Sequence, residues 1–346
     1  MIVDKEYCMS SYLAFRYVLD EERVFKKDLI HKEHLMIPDQ DKKPCRTAAD
    51  IDHVIRDVLE PIDLSKAGVL LSGGMDSAII ASYMPKGTKA YTSRCVGTGA
   101  VDETEQAKRY CDLYDLEHVI VDVEWDDYEK AIDELAVFQG SPIISNEPQA
   151  YKIVKQAKKE GVECFVHGDC ADIVFGGMSK MLSKDWTIEE WIDRSIYVRP
   201  EQVLSNPRDI YNAYDKYRKA DGMADNEAFI NDIYGRATAG ALTLACRAVG
   251  LSYCDPYEEM YMPEPLDMKR IRGGESKYLV RELFHMRYPT LDIPEKKPMS
   301  RPAKDWMAKW EGPKRDEFIQ GSTDLLTGEQ KLLVYSLERF LNVIDA

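Results

Sequence analysis

The stretch that most limits what this chain can fold into is "AGVLLSGGMDSAIIASYM", residues 67 to 84. A short uncharged apolar run gives way to Ser72-Gly73-Gly74 and then to a helical pattern opened by a carboxylate, Asp76. The same alternation continues downstream. "AGVLLS", "KAYTSRCV", "HVIVDV" and "ECFVHGD" read as strands, and "DSAIIASYM", "DETEQAKRYCDLYDL", "WDDYEKAIDELAVFQ" and "EPQAYKIVKQAKKEG" read as helices. Asp102 stands three residues before Glu105, the spacing of a capping box. Strands alternating with helices require right-handed crossovers, so the predicted class is α/β: a doubly wound parallel sheet with helices on both faces.

Past residue 185 strand signals fade. "TIEEWIDRSIY", "NPRDIYNAYDKYRKA", "NEAFINDIYGRATAGALTLACRAVG" and "ESKYLVRELFHMRY" read as mainly helical, divided by Pro and Gly. The predicted organisation is a mixed extension over 1–60, an α/β nucleotide-binding core over 61–200 and a helical part over 201–346 packed on that core. No internal repeat is visible.

Composition excludes several classes. With 346 residues, 45% of them hydrophobic, the chain can bury a sizeable core. A formal net charge of −15 argues against nucleic-acid binding, which draws on clustered Lys and Arg. No run approaches the roughly 18 apolar residues of a membrane span, and the N-terminus lacks the basic start and apolar core of a secretory signal, so a cytoplasmic protein is expected. The 8 cysteines include no C-x-x-C pair and are expected to be reduced thiols. His31 and His34, in "HKEH", have helical metal-ligand spacing without a zincin context and are expected on a solvated helix face.

The loop after the first strand carries the chemistry. Open α/β sheets bind ligands beyond the carboxyl ends of their strands. Glycines there allow φ > 0 or close backbone approach, and free N–H groups at a helix start attract anions such as a phosphate chain. Beside polyphosphate, Asp76 would be repelled unless a divalent cation lies between, and Mg²⁺ is commonly held by one or two carboxylates plus phosphate oxygens. By itself an Asp after a glycine turn is an ordinary N-cap or first-turn residue. S-G-G-x-D-S is nevertheless expected by chance in only about one chain in a few thousand. No G-x-x-x-x-G-K-[ST] is present, and "GTGAVD" from Gly97 breaks the dinucleotide fingerprint at its third glycine.

"SGGMDS", Ser72 to Ser77, resembles the pyrophosphate loop of the ATP pyrophosphatase superfamily, whose members cleave ATP to AMP and pyrophosphate. "VDETEQAKRYCDLYDLEH" (101–118), "HGDCADIVFGGM" (167–178), "GGESKYLVRELF" (273–284) and "IPEKKPMSRP" (293–302) resemble, in order and spacing, the asparagine synthetase-like branch. That resemblance implies an adenine nucleotide alpha hydrolase-like fold. It also implies an ATP-dependent, AMP-forming ligase that adenylates a substrate carboxylate and transfers it to ammonia or an amine. ATP would be held by Leu71, Ser72, Gly73, Gly74, Asp76, Ser77, Ser93, Gly168 and Lys296, and Mg²⁺ by Asp76 and Asp172. Taken alone, Asp172 reads as a helix cap, and the lysines of "EKKP" as solvated loop charges. Matching K-x-x-[FM] favours Lys296 as the lysine that stabilises charge as the acyl-adenylate forms, with Lys297 the alternative.

The sequence also departs from that branch. The glutamate of its G-E-G stretch is Asp169 here, still able to exchange a proton but with shorter reach, and the glutamate after the metal aspartate is Ile173. The "CDPYEEMYMPEPL" segment (254–266) is similar to the branch's V-P-F-L-D region, without an assigned role. Residue 2 is Ile rather than the exposed cysteine of a glutaminase, so no glutaminase domain is expected and ammonia could come from a separate amidotransferase subunit. Two other readings remain: an enzyme that uses the same loop to adenylate a base carbonyl for tRNA modification or sulfur transfer, and a silent scaffold paralogue.

Overall fold

The computed structural model describes residues 1–32, 34–297 and 301–346. The chain opens with α1 (Lys5–Phe15) and α2 (Ala48–Leu59), the latter started by a Thr47/Asp50 capping box. The alternating region follows: β1 (Ala67–Leu70), α3 (Met75–Ala81), β2 (Lys89–Cys95), α4 (Thr104–Tyr114), β3 (Glu117–Val123), α5 (Trp125–Gln139), α6 (Glu147–Lys159), β4 (Cys164–Val166) and α7 (Ala171–Val174). The described residues then run through α8 (Ile188–Ser195), α9 (Gly240–Val249), β5 (Ser252–Cys254), α10 (Tyr278–Arg287) and α11 (Gly328–Asp345), with shorter helical turns between them. No described helix is long and apolar enough to cross a membrane.

These five strands form one parallel sheet in the order β3-β2-β1-β4-β5, apart from two short parallel pairs, Ile2–Val3 with Arg23–Val24 and Lys43–Pro44 with Met260–Tyr261. The chain moves outward from β1 through β2 to β3 and then returns to the other side of β1, so the switch point lies between β1 and β4. Alternation on the central strands divides the core. Val69, Leu71, Ala90 and Val166 pack with α2, α3, α4 and α10 on one face. Leu70, Tyr91, Val121 and Phe165 pack with α6 and α9 on the other. The doubly wound expectation is thus met, with all of β1 buried as a central parallel strand should be. A further cluster joins α1, α5 and α11.

Several local expectations are corrected. The fifth strand was not foreseen: β5 has three residues at a sheet edge, two of them exposed, and so carries no apolar run. The capping box at Asp102 does not form. Helix α4 begins at Thr104, and Asp102 Oδ1 accepts from the Thr104 N–H (2.9 Å) and hydroxyl (2.7 Å) instead. Residues 211–217 form a 3₁₀ turn rather than an α-helix, and 230–239 wind as a π-helix that leads into α9. His31 and His34 lie on no helix: His31 bridges the carbonyls of Gly140 and Arg23, both at 3.0 Å, and His34 is buried with Nε2 2.8 Å from Glu258. All eight cysteines are free.

Helix α10 lies alongside α3, running in the same direction. At its C-terminal end Arg287 donates to the Ser82 hydroxyl (2.8 Å) and carbonyl (2.6 Å), and the Tyr288 hydroxyl donates to the Ala78 carbonyl (2.6 Å). Phe284, fully buried, stacks on Tyr288 with centroids 4.9 Å apart and meets Tyr110 of α4 edge-on at 6.3 Å. This mooring brings the residue just before α10, Lys277, to the N-terminus of α3. Phe284→Ala is expected to lower unfolding free energy by about 3–5 kcal/mol, the usual cost of emptying a packed aromatic site, read as a lower urea midpoint. An unchanged midpoint would show that α10 is not held by this stack.

Candidate functional site

The loop at the end of β1 is organised by its own hydroxyls. Ser77 Oγ accepts from the Ser72 N–H (3.0 Å) and lies 2.9 Å from Ser72 Oγ, which in turn accepts from the Gly74 N–H (3.1 Å). Neither Gly73 nor Gly74 adopts positive φ, so the conformational half of the glycine expectation is not realised. Close approach is the reason for Gly73: a Cβ there would lie 3.0 Å from Glu103 Oε1 and 3.1 Å from Glu103 Cβ. The Glu103 carboxylate takes the Gly73 N–H; burial raises its pKa, while Lys297 and that N–H pull the other way.

The loop after β4 faces this one across the switch point. Asp172 sits in the first turn of α7, not at its cap, and Gly177 lies so close that a Cβ would fall 2.0 Å from Asp172 Oδ1. Between the two loops lies Lys277, 4% exposed, its Nζ 2.5 Å from Asp76 Oδ2 and 2.7 Å from Asp172 Oδ1. Lys277 holds left-handed backbone at φ +54°, an uncommon setting for a residue with a side chain. Lys296 Nζ reaches the outer side of Asp172, 2.7 Å from Oδ2 and 3.1 Å from the Gly177 carbonyl.

The electrostatics follow from this crowding. Burial disfavours the Asp172 charge, yet Lys277 and Lys296 outweigh it and hold the carboxyl at about 2. Burial also opposes the Lys277 charge, but Asp76 and Asp172 raise its pKa above the ordinary value. For Asp76 burial dominates and its pKa rises, Lys277 pulling down and Asp172 pushing up. Asp76 Oδ1 is buried with no hydrogen-bond partner among the described residues. Asp169, three residues before Asp172, is pushed up to about 7, first by burial and then by the charges of Asp172 and Asp76.

The remaining anticipated residues divide. Gly168 closes β4 against Tyr257, where a Cβ would lie 2.9 Å from the ring. Leu71 is fully buried, its N–H bonded to the Tyr91 carbonyl (2.9 Å) and its carbonyl accepting from Thr92 Oγ1 (2.7 Å), so both backbone groups are used by the sheet. Ser93 Oγ accepts from Gln149 Nε2 at 2.5 Å. Met299, which sets the lysine register, lies outside the described residues, as do Pro298 and Ser300.

Sequence reasoning missed three contributors. Lys277 lay inside the quoted S-K-Y segment, but nothing local marks a lysine for burial. In the sequence Glu103 has no feature that sets it apart from the rest of the acidic helix start. Asp255, in the segment without an assigned role, ties β5 to the β4 loop: Oδ2 accepts from the Cys170 N–H (2.9 Å) and Oδ1 from the Tyr257 N–H (3.0 Å). Tyr257, so held, donates to the Asp76 carbonyl at 3.3 Å.

Chemically, the site gathers two hard-oxygen carboxylates, two ammonium groups and a carboxyl that titrates near neutrality at the carboxyl ends of β1 and β4. Among the described residues no group of three or more His, Cys, Asp or Glu could hold a metal by protein ligands alone. No curated protein matches the chain. The asparagine synthase profile matches residues 63–239, just over half of the sequence, from the turn before β1 to the end of the π-helix. That match takes in four of the five sheet strands and both loops at the switch point, though not β5, Lys277 or Lys296, and makes this chain a member of the asparagine synthase family, a family of ATP-dependent adenylating amide ligases.

Proposed function

We propose that the protein adenylates a substrate carboxylate with ATP, releasing pyrophosphate, and transfers the acyl group to ammonia or an amine, releasing AMP. The observation that carries this reading is the meeting of Asp76, Asp172, Lys277 and Lys296 between the β1 and β4 loops. The family uses ATP, and the β1 loop already turns its Gly73 N–H to an anionic oxygen, that of Glu103. A triphosphate approaching Ser72, Gly73, Gly74 and Ser77 would compete with that carboxylate for the same donor. Lys277 and Lys296 supply fixed positive charge where the departing pyrophosphate gains negative charge.

The donor set suits a magnesium ion. Asp76 Oδ1 is a buried carboxylate oxygen without a partner, Asp172 stays ionised, and a Mg²⁺ ion is ordinarily completed by phosphate oxygens and water rather than by protein. Asp76 and Asp172 would hold it. When bound, it would neutralise phosphate charge and fix the triphosphate. Asp169, half-buried and titrating near 7, is the group suited to take the proton that the attacking nitrogen loses.

Three outcomes test this reading. Asp76→Asn is expected to abolish carboxylate-dependent pyrophosphate release across a panel of acids; unchanged turnover would remove the role of the carboxylate. Lys296→Ala is expected to slow the reaction by about 10²–10³, the scale of losing one preorganised charge donor, and Lys297→Ala by far less. The reverse order would move the role to Lys297. Acyl transfer is expected to rise with pH through about 7, and Asp169→Asn to remove that limb. Stability runs the opposite way, because the folded pKa lies above the ordinary 3.8: the contribution of Asp169 is full below that value and is lost as pH rises through about 7. Asp169→Asn should therefore flatten the urea midpoint between pH 4 and 7, and a wild-type-like slope would show that Asp169 is ionised throughout.

A further inference from the structure

Beyond the charged loops, on the outer side of α7, opens a cavity of about 540 Å³ that shares Asp172 with the site. Its volume is that of a pocket for a small organic molecule, while one ammonia needs only about the 30 Å³ of a water. The walls are methionine-rich, with Met36, Met178, Met260 and Met262 joined by Val174 and Leu182. Thioether side chains of this kind adapt to bulky apolar ligands. Ile173 lines the same cavity, presenting an apolar surface where the resembling sequences carry a glutamate. The first turn of the π-helix, Ile230 to Asp232, forms part of the wall.

The charge of the cavity selects among ligands. Besides Asp172 it is lined by Asp39, Glu227, Asp232 and Glu264, against only Lys42 and Arg236. Both cations are engaged, Lys42 with Asp39 at 3.0 Å and Arg236 with Glu21 at 3.1 Å. Asp232 pairs with Lys216, and Glu264 with Arg46 at 2.8 Å. Glu227 differs: half-buried, it accepts the Leu266 backbone N–H but makes no ion pair among the described residues, and burial first, then Asp225, raises its pKa while Lys219 and that N–H pull the other way. Among the described lining residues a carboxylate ligand would find no free cation and several like charges. An ammonium group would find in Glu227 a carboxylate with no ion-pair partner among the described residues, and apolar walls beside it.

We propose that this cavity seats the acyl acceptor, and that the acceptor is a primary amine on an extended apolar body rather than free ammonia. The inference rests on the adenylation reading above for its chemistry. The ligand enters as its ammonium and loses one proton to solvent to expose the nitrogen lone pair. That nitrogen attacks the acyl carbon, forming the C–N bond, while the C–O bond to phosphate breaks and its electron pair leaves with AMP. The second proton lost from nitrogen goes to Asp169 or to solvent, and the product is an N-substituted amide.

The test is calorimetric titration of the full chain, without ATP, using ammonium, n-propylamine, n-butylamine, n-hexylamine and hexanoate at neutral pH. Amine affinity is expected to rise about fourfold per added methylene, the usual gain for burying one, with hexanoate at least tenfold weaker than hexylamine. Ala228→Trp, at an exposed position on the cavity wall, should abolish the chain-length gain. Glu227→Gln should weaken hexylamine at least fivefold without weakening hexanoate, with circular dichroism confirming that both variants fold. Equal binding of hexanoate and hexylamine, or affinity independent of chain length, would overturn the assignment. The two readings separate in a pyrophosphate-release assay. Chain-length-dependent amine binding without carboxylate-dependent release would sink adenylation and keep the cavity. Release discharged equally well by ammonium and by every amine would keep adenylation and sink the cavity assignment.

Discussion

A buried ammonium between two carboxylates is the interaction on which the rest of this structure depends. Lys277 lies within 2.7 Å of both Asp76 and Asp172, on loops from different strands, and is itself almost sealed from water. Removing one member of such a group leaves an uncompensated charge in a poorly solvated place, which costs about 3–5 kcal/mol. The three residues therefore hold one another, and the β1 and β4 loops with them. The same crowding produces the divergent ionisation of the acids, with Asp172 driven down by two lysines while Asp169, with no Lys or Arg partner among the described residues, is driven up by burial and by its acidic neighbours.

The surrounding packing sets that geometry. Lys277 reaches the loops because α10 is fixed along α3 by the Arg287 and Tyr288 hydrogen bonds and by the Phe284 stack, far from the charges themselves. On the other side, Asp255 at the end of β5 grips the Cys170 and Tyr257 amides, and Tyr257 touches the backbone of Asp76. Two apolar faces thus hold a polar centre from opposite directions. In the proposed reaction, charge held in place in this way would need little rearrangement when a polyphosphate arrived, and its catalytic value would lie there.

Asp172 also joins the two halves of the functional reading. Its inner side faces Lys277 and Asp76, where the nucleotide chemistry is proposed, and it borders the methionine-lined cavity proposed for the acceptor. Gly177 permits this double exposure, since any side chain there would collide with the carboxylate. The geometry suits a reaction in which one activated carbon must meet a phosphate on one side and a nitrogen on the other.

Much of the fold was legible because its signals are local. Four short apolar or alternating runs, the first three followed by helical stretches, specify β1 to β4, and Ser72 to Ser77 specifies a loop at a strand end. The edge strand β5 escaped because three half-exposed residues leave no periodic trace, and the Asp102 box failed because Thr104 offered Asp102 a nearer N–H and hydroxyl. The sequence by itself determined a parallel α/β sheet, a glycine loop with Asp76 at its helix start and a family resemblance across the core. Only the tertiary structure decided that Lys277, some two hundred residues from Asp76, becomes its partner, and that Glu103 takes the loop amide. Electrostatic pairing across loops depends on distances that chain proximity does not encode, whereas strand and helix periodicity is written in neighbouring residues.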